Sequence, residues 1–347
     1  MTSHAFAASL LAASVHRHRG GHIFGGLLLL IIVVVVVILL VQRSRNRKPI
    51  AEGTPSTLVH TTAAEEQEAG GAPTVTMTAV ALDTALPPGR YNVIDLARSE
   101  WTKMRTVRST MWTLVITVVL GLGVSAIATA ETRAHWTPAN AHGFDPTSLS
   151  LIGTFIAEFA IGVLGVLVMS AEYSTGTIRA VLSAAPRRLD VLLAKILVFT
   201  AVAVVVAEFV AFASFFLGQA LLTSPAIHAT LSSPGALRAV VGCGLYVATL
   251  GLLGLGLATI IRHSAGAISC FVGILLVLPL IVQALPSSLA MDVRKFLPDR
   301  IGAAMITTNG GFNNTGAFSP WVGLLLLVGY AVAVNVIGAI LLARRDA

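Results

Sequence analysis

The chain has 347 residues, of which 55% are hydrophobic and only 11% charged, and its mean hydropathy of +0.84 lies outside the range of water-soluble domains. The formal net charge is +7, but the basic residues flank apolar runs and do not share a soluble face with base-stacking aromatics, which argues against nucleic acid as a partner. What remains is a membrane protein.

A helix needs about 20 mostly apolar residues to cross roughly 30 Å of hydrocarbon. Seven runs satisfy this, at 23–42, 111–130, 150–171, 190–221, 237–261, 265–285 and 320–343. None alternates apolar and polar residues as the strands of an outer-membrane barrel do. The expected fold is therefore all-α and polytopic.

The first run, within "HIFGGLLLLIIVVVVVILLVQRSRNRK", carries Arg43, Arg45, Arg47 and Lys48 at its C-terminal end. It is too long for a signal-peptide core and has no small-x-small cleavage site after it, so residues 1–48 read as an extension with an uncleaved anchor. Residues 49–90, with "AAEEQEAGGAP" and "LPPGR", lack hydrophobic periodicity and read as a flexible linker. The working domain is expected at 91–347.

That domain opens with "VIDLARSEWTKMRTVRSTMW", where Ile94, Ala97, Trp101 and Met104 follow helical spacing. An amphipathic helix lying in the interface is predicted, with Trp101 at headgroup depth and Lys103, Arg105 and Arg108 meeting anionic lipids. Basic residues recur before the second run, around the connection at 172–188, in the turn at Arg262 and His263, and at Arg344 and Arg345. Cytoplasmic loops carry the Lys/Arg excess, so both ends of a six-helix core are expected in the cytoplasm.

Within the core, "EYSTGTIRAVLSAAPRR" at 172–188 is a polar island between two apolar runs. Ser174 or Thr175 offers an N-cap, Ile178, Val181 and Leu182 form a short apolar stripe, and Pro186 ends it. A helix of about two turns across the cytoplasmic mouth is predicted, with Glu172, Arg179, Arg187 and Arg188 facing a protein surface.

The sequence offers little to enzyme chemistry. It has no G-x-x-x-x-G-K-[ST] phosphate loop and no H-E-x-x-H, and no Ser/His/Asp set can be proposed from spacing. Cys243 and Cys270 lie inside apolar runs and read as helix-packing residues, and His16, His18 and His22 form no metal-ligand pattern. Gly244 with Ala248 and Gly254 with Ala258 are small-xxx-small pairs suited to close helix approach. Glu158 and Glu208 fall within predicted spans, where an ionisable group is costly. They hold helices together by hydrogen bonds, or they line a translocation path with Gln219 and Asn335 that favours cationic or amphipathic substrates. The loop at 286–319 is expected to hold short helices over the outer vestibule.

Taken together, "SEWTKMRTVRSTMW", the six spans, "GVLGVLVMSAEYSTGTIRAVLSAAPRRLDVLLAK", "LGLLGLGLATIIRHSAGAI" and the terminal "LLARRDA" resemble the ABC-2 type permeases of ABC exporters, especially actinobacterial ones, over about residues 91–347. The resemblance implies an elbow helix at 92–108 and a coupling helix at about 172–188. In the latter, Glu172, Tyr173, Gly176, Arg179, Arg187 and Arg188 would transmit force from a separate ATPase subunit. It further implies a second permease chain, no cofactor on this chain with ATP and Mg held by the ATPase, alternating access, and a bacterial plasma membrane. The N-terminal extension departs from the family's usual pattern. A rival reading is a proton-coupled secondary transporter using Glu158 and Glu208, but neither the internal repeats nor the broken helices common in that class are seen.

Overall fold

The computed structural model describes residues 92–177, 188–309 and 317–344. The predicted anchor at 23–42 and the linker lie outside the described residues, as do Arg179 and Arg187. Among the described residues the fold is helical without strands, and six helices are long and apolar enough to cross a membrane.

Helix α1 (Val93–Thr106) precedes the first span, α2 (Arg108–Ala134). Val107 between them has extended dihedrals, so α1 leaves the axis of α2 and packs on the third span. The predicted apolar stripe of α1 divides. Glu100 and Met104 turn inward and are buried, whereas Ile94 and Trp101 face outward.

Helix α2 is polar inside and apolar outside. Thr110, Thr113, Thr117, Gly121, Ser125 and Thr129 are buried at helical spacing, while Met111, Trp112, Val115, Val119 and Ile127 are exposed. Lipid is as apolar as the outer side chains, so burying them brings no gain; small residues let helices approach instead. The hydroxyls of Thr113, Thr117 and Thr129 donate to carbonyls one turn back, which satisfies them without a partner helix.

After the short helix α3 (Pro146–Ser150), the second span α4 (Thr154–Ser174) and the fourth span α6 (Ala236–Ile261) form the enclosed centre. Glycines set their separation. A Cβ on Gly165 would stand 2.1 Å from the Gly251 carbonyl oxygen, and one on Gly254 would stand 2.3 Å from that of Gly162. Gly254 thus serves the close approach the sequence suggested, whereas Gly244 accommodates the Glu208 carboxyl.

The third span α5 (Arg188–Leu221) and the last span α10 (Pro320–Arg344) flank α6. Arg262, in left-handed conformation with φ 59°, makes the tight turn from α6 into the fifth span α7 (Ser264–Gln283), whose first turn is capped by His263. Sequence reading left α7 unbroken; it contains a π-helical turn at Gly273–Val277. Pro279 explains the site, since it lacks an N–H and its ring would clash with the carbonyl four residues back in a regular helix.

Two short helices, α8 (Ser287–Arg294) and α9 (Pro298–Ile306), follow in the loop where short helices were expected. Ile301, Ala304 and Met305 are buried, and α9 packs on α6 and α10. Asp299 at the start of α9 titrates above the ordinary aspartate range because it is buried, with Arg300 only partly offsetting this.

Candidate functional site

Four charged side chains from three helices meet where α1 crosses the end of the bundle. Lys195 Nζ, from the second turn of α5, lies 2.6 Å from Glu100 Oε2 on α1 and 2.9 Å from Glu172 Oε1 at the end of α4. Lys103 Nζ on α1 lies 2.5 Å from Glu100 Oε1 and 2.9 Å from the same Glu172 oxygen. The Lys195 and Glu100 side chains are only 2% and 7% exposed, so the pairs are held away from bulk water where screening is weak.

The two carboxylates and two ammoniums make the group electrically neutral. That neutrality is what allows burial: an isolated ion there would cost several kcal/mol, at order-of-magnitude precision, whereas each one here has opposite charges in contact. For Lys103, burial alone would lower the pKa; the Glu100 and Glu172 carboxylates outweigh it and raise the pKa above the ordinary lysine range.

This geometry corrects two expectations. Glu172 does not face an open protein surface, because α4 runs on to Ser174 and carries Glu172 inward on its last turn. Lys103 faces its two carboxylates, and Trp101, Arg105 and Arg108 form the exposed side of this region. Ser174 and Thr175 also differ from the N-cap reading, since both hydroxyls donate back to the Ala171 carbonyl and so close α4. Gly176 follows with φ +71°, a left-handed position with open space around it.

Beside this cluster, the Arg262 guanidinium lies 5.5 Å over the Tyr173 ring and donates to the Leu341 carbonyl of α10 at 3.3 Å. Arg188 donates to Leu342 at 3.4 Å. Tyr173, Arg262 and Arg188 thereby join α4, the α6–α7 turn and the first residue of α5 to the end of α10.

Of the four residues proposed for a path, Glu158 and Glu208 approach the same stretch of α6. Glu158 is buried and hydrogen-bonded to Tyr246, while the Glu208 carboxyl lies against Gly244. Gln219 and Asn335 do not join them. Gln219 donates to the Pro146 carbonyl and Ser150 Oγ and accepts from Ala229 N–H, tying the end of α5 to its neighbouring loops. Asn335 donates to Leu252 and Ala331 carbonyls, linking α10 to α6.

Sequence reading singled out neither Glu100 nor Lys195. A signal for Glu100 was present: it stands four residues from both Leu96 and Met104, on the side of α1 that enters the protein, with Lys103 three residues on.

A family profile described as "ABC-2 family transporter protein" matches residues 96–291, more than half of the chain. The chain belongs to the ABC-2 transporter family. This ABC-2 protein is a multi-pass membrane component of transport, and the match covers α1 from Leu96 onward, the first five spans and all four members of the charge cluster. No curated protein matches it at significance.

Proposed function

We propose that the chain is the permease subunit of an ABC exporter in a bacterial plasma membrane, working with a second permease chain, identical or related, and a separate ABC ATP-binding subunit that carries ATP and Mg. The observation that supports this reading most directly is the Glu100–Lys103–Glu172–Lys195 cluster. It ties the interfacial helix to the two spans that carry the ends of the stretch at about 172–188, which the resemblance assigns to ATPase contact. Force on that segment would pass covalently into α4 and α5 and, through four charge contacts, into α1.

Such contacts suit a two-state device. Buried ion pairs are either made or broken at large cost, so the bundle would move between discrete arrangements in which the partner makes different contacts. Tyr173, Gly176, Arg179, Arg187 and Arg188 are proposed to receive the push, with Glu172 transmitting it inward. Glu158 and Glu208 are proposed to lie along the route of a hydrophobic, amphipathic or drug-like substrate, with cationic ones favoured.

Gly176 provides a test that spares the bundle. Valine at φ +71° is strained by about 1–2 kcal/mol, whereas asparagine tolerates this conformation. Gly176→Val is expected to reduce ATPase copurification and substrate-stimulated ATP hydrolysis severalfold while the melting temperature falls by only a few degrees, and Gly176→Asn to retain most of both. Equal coupling in the two variants would refute the proposed role of this turn. For the path, Glu158→Gln and Glu208→Gln are expected to slow efflux of a cationic amphiphile at normal expression. Undiminished transport by both would remove them from the route.

A further inference from the structure

A cavity of about 710 Å³ opens between the α1–α2 junction and α4, next to the charge cluster. Its size falls within the ordinary range of ligand sites. Lys103 and Arg108 stand on its lining at the α1 end, and Arg108 has no carboxylate partner among the described residues. Leu164, Leu167 and Val168 of α4 supply an apolar wall further along the span.

Among the described residues, two polar atoms in this lining are buried and without a partner. Ser170 is 0% exposed and its Oγ has no hydrogen-bond partner there; Glu172 is 8% exposed and its Oε2 has none there, although Oε1 accepts from both lysines. A buried carboxylate oxygen without a donor is costly, and it calls for an N–H or O–H. The cluster itself is neutral, so Arg108 leaves the cavity with one net positive charge.

The arrangement calls for a ligand with an anion for Arg108 and Lys103, a donor for Glu172 Oε2 and Ser170 Oγ, and an apolar tail for α4. We propose that the cavity is a binding site for a glycerophospholipid whose headgroup carries an N–H or O–H donor beside its phosphate, as phosphatidylglycerol and phosphatidylethanolamine do. The position supports a lipid source. Exposed Trp101 and Trp112 bracket the same junction, at the depth where amphipathic rings meet headgroups. A lipid seated there would contact α1, α2 and α4 at once and so bias how α1 rests on the bundle. This inference does not depend on an ATPase partner.

Native mass spectrometry of the full chain in detergent tests it with three lipids of identical acyl chains: phosphatidylglycerol, phosphatidylethanolamine and phosphatidylcholine, whose headgroup lacks a donor. One phosphatidylglycerol or phosphatidylethanolamine should be retained about tenfold more tightly than phosphatidylcholine, the scale of one hydrogen bond to a charged group. Arg108→Gln should weaken phosphatidylglycerol about tenfold by the same measure. Ser170→Ala should weaken it less, and Arg133→Gln, at the other end of α2, should have no effect. Arg108 is exposed, so its replacement leaves the fold intact, which melting temperature verifies. Equal binding of the three lipids, or phosphatidylglycerol binding indifferent to both Arg108→Gln and Ser170→Ala, would overturn the proposal. Displacement of phosphatidylglycerol by glycerol phosphate at equal affinity would do so too, by assigning the site to a soluble phosphate.

Discussion

Lys195→Ala is expected to destabilise the bundle by about 3–5 kcal/mol, because it strands Glu100 and Glu172 in a buried position with Lys103 alone to serve both. For a domain of this size the corresponding fall in melting temperature is on the order of 10 °C. A second variant separates stability from function. Replacing the whole cluster by apolar residues of similar volume, as E100L/K103M/E172L/K195M, removes every charge together and should recover most of the lost stability. The same variant is expected to remain uncoupled, with ATP hydrolysis by the partner no longer stimulated by substrate, since apolar contacts lack the discrete pairing that links α1 to both flanking spans. A Lys195→Ala variant as stable as the wild type would show that the cluster is more hydrated than its burial indicates. Full coupling in the quadruple variant would show that force reaches the spans by another route.

The second large effect concerns the seam between α4 and α6. Gly254→Ala places a Cβ 2.3 Å from the Gly162 carbonyl oxygen, and backbone on both sides leaves nothing flexible to yield. The helices must separate along a seam that also includes Gly165 against Gly251, at a cost of about 1–3 kcal/mol for overpacking, with Gly254→Val costing more. Gly329 in α10 gives the opposite expectation, because nothing lies within 4 Å of a Cβ there. Gly329→Ala should be neutral or stabilising by up to about 1 kcal/mol through helix propensity. Thermal unfolding of the two alanine variants in the same detergent compares one substitution in two surroundings, and a similar melting temperature for both would refute the seam.

Much of the architecture was legible before any coordinates. The six core spans predicted at 111–130, 150–171, 190–221, 237–261, 265–285 and 320–343 correspond to helices whose ends differ by a few residues. Those differences matter chemically. Extension of α4 from 171 to Ser174 moved Glu172 from a connecting loop into a helix and so from an exposed position to a buried one. The stripe on α1 was read as one apolar face, but a helix lying between lipid and protein has two, and Ile94 with Trp101 belongs to the first while Met104 belongs to the second. Hydrophobicity cannot distinguish these faces, because lipid and protein interior reward the same side chains.

The sequence alone determined that this chain is a helical membrane protein, roughly where it crosses, and which family it resembles. Insertion of an apolar run into hydrocarbon depends on the run itself, with every backbone group satisfied inside its own helix. Only the tertiary structure decided which charges meet. Glu100 and Lys195 stand 95 residues apart, and Lys103 and Glu172 stand 69 apart, so no local pattern joins them. The same holds for Gly165 and Gly251, or Gly162 and Gly254, which touch only when α4 and α6 pack. In a bilayer that packing rests on close backbone approach and a few satisfied polar groups, and those contacts are made between distant parts of the chain.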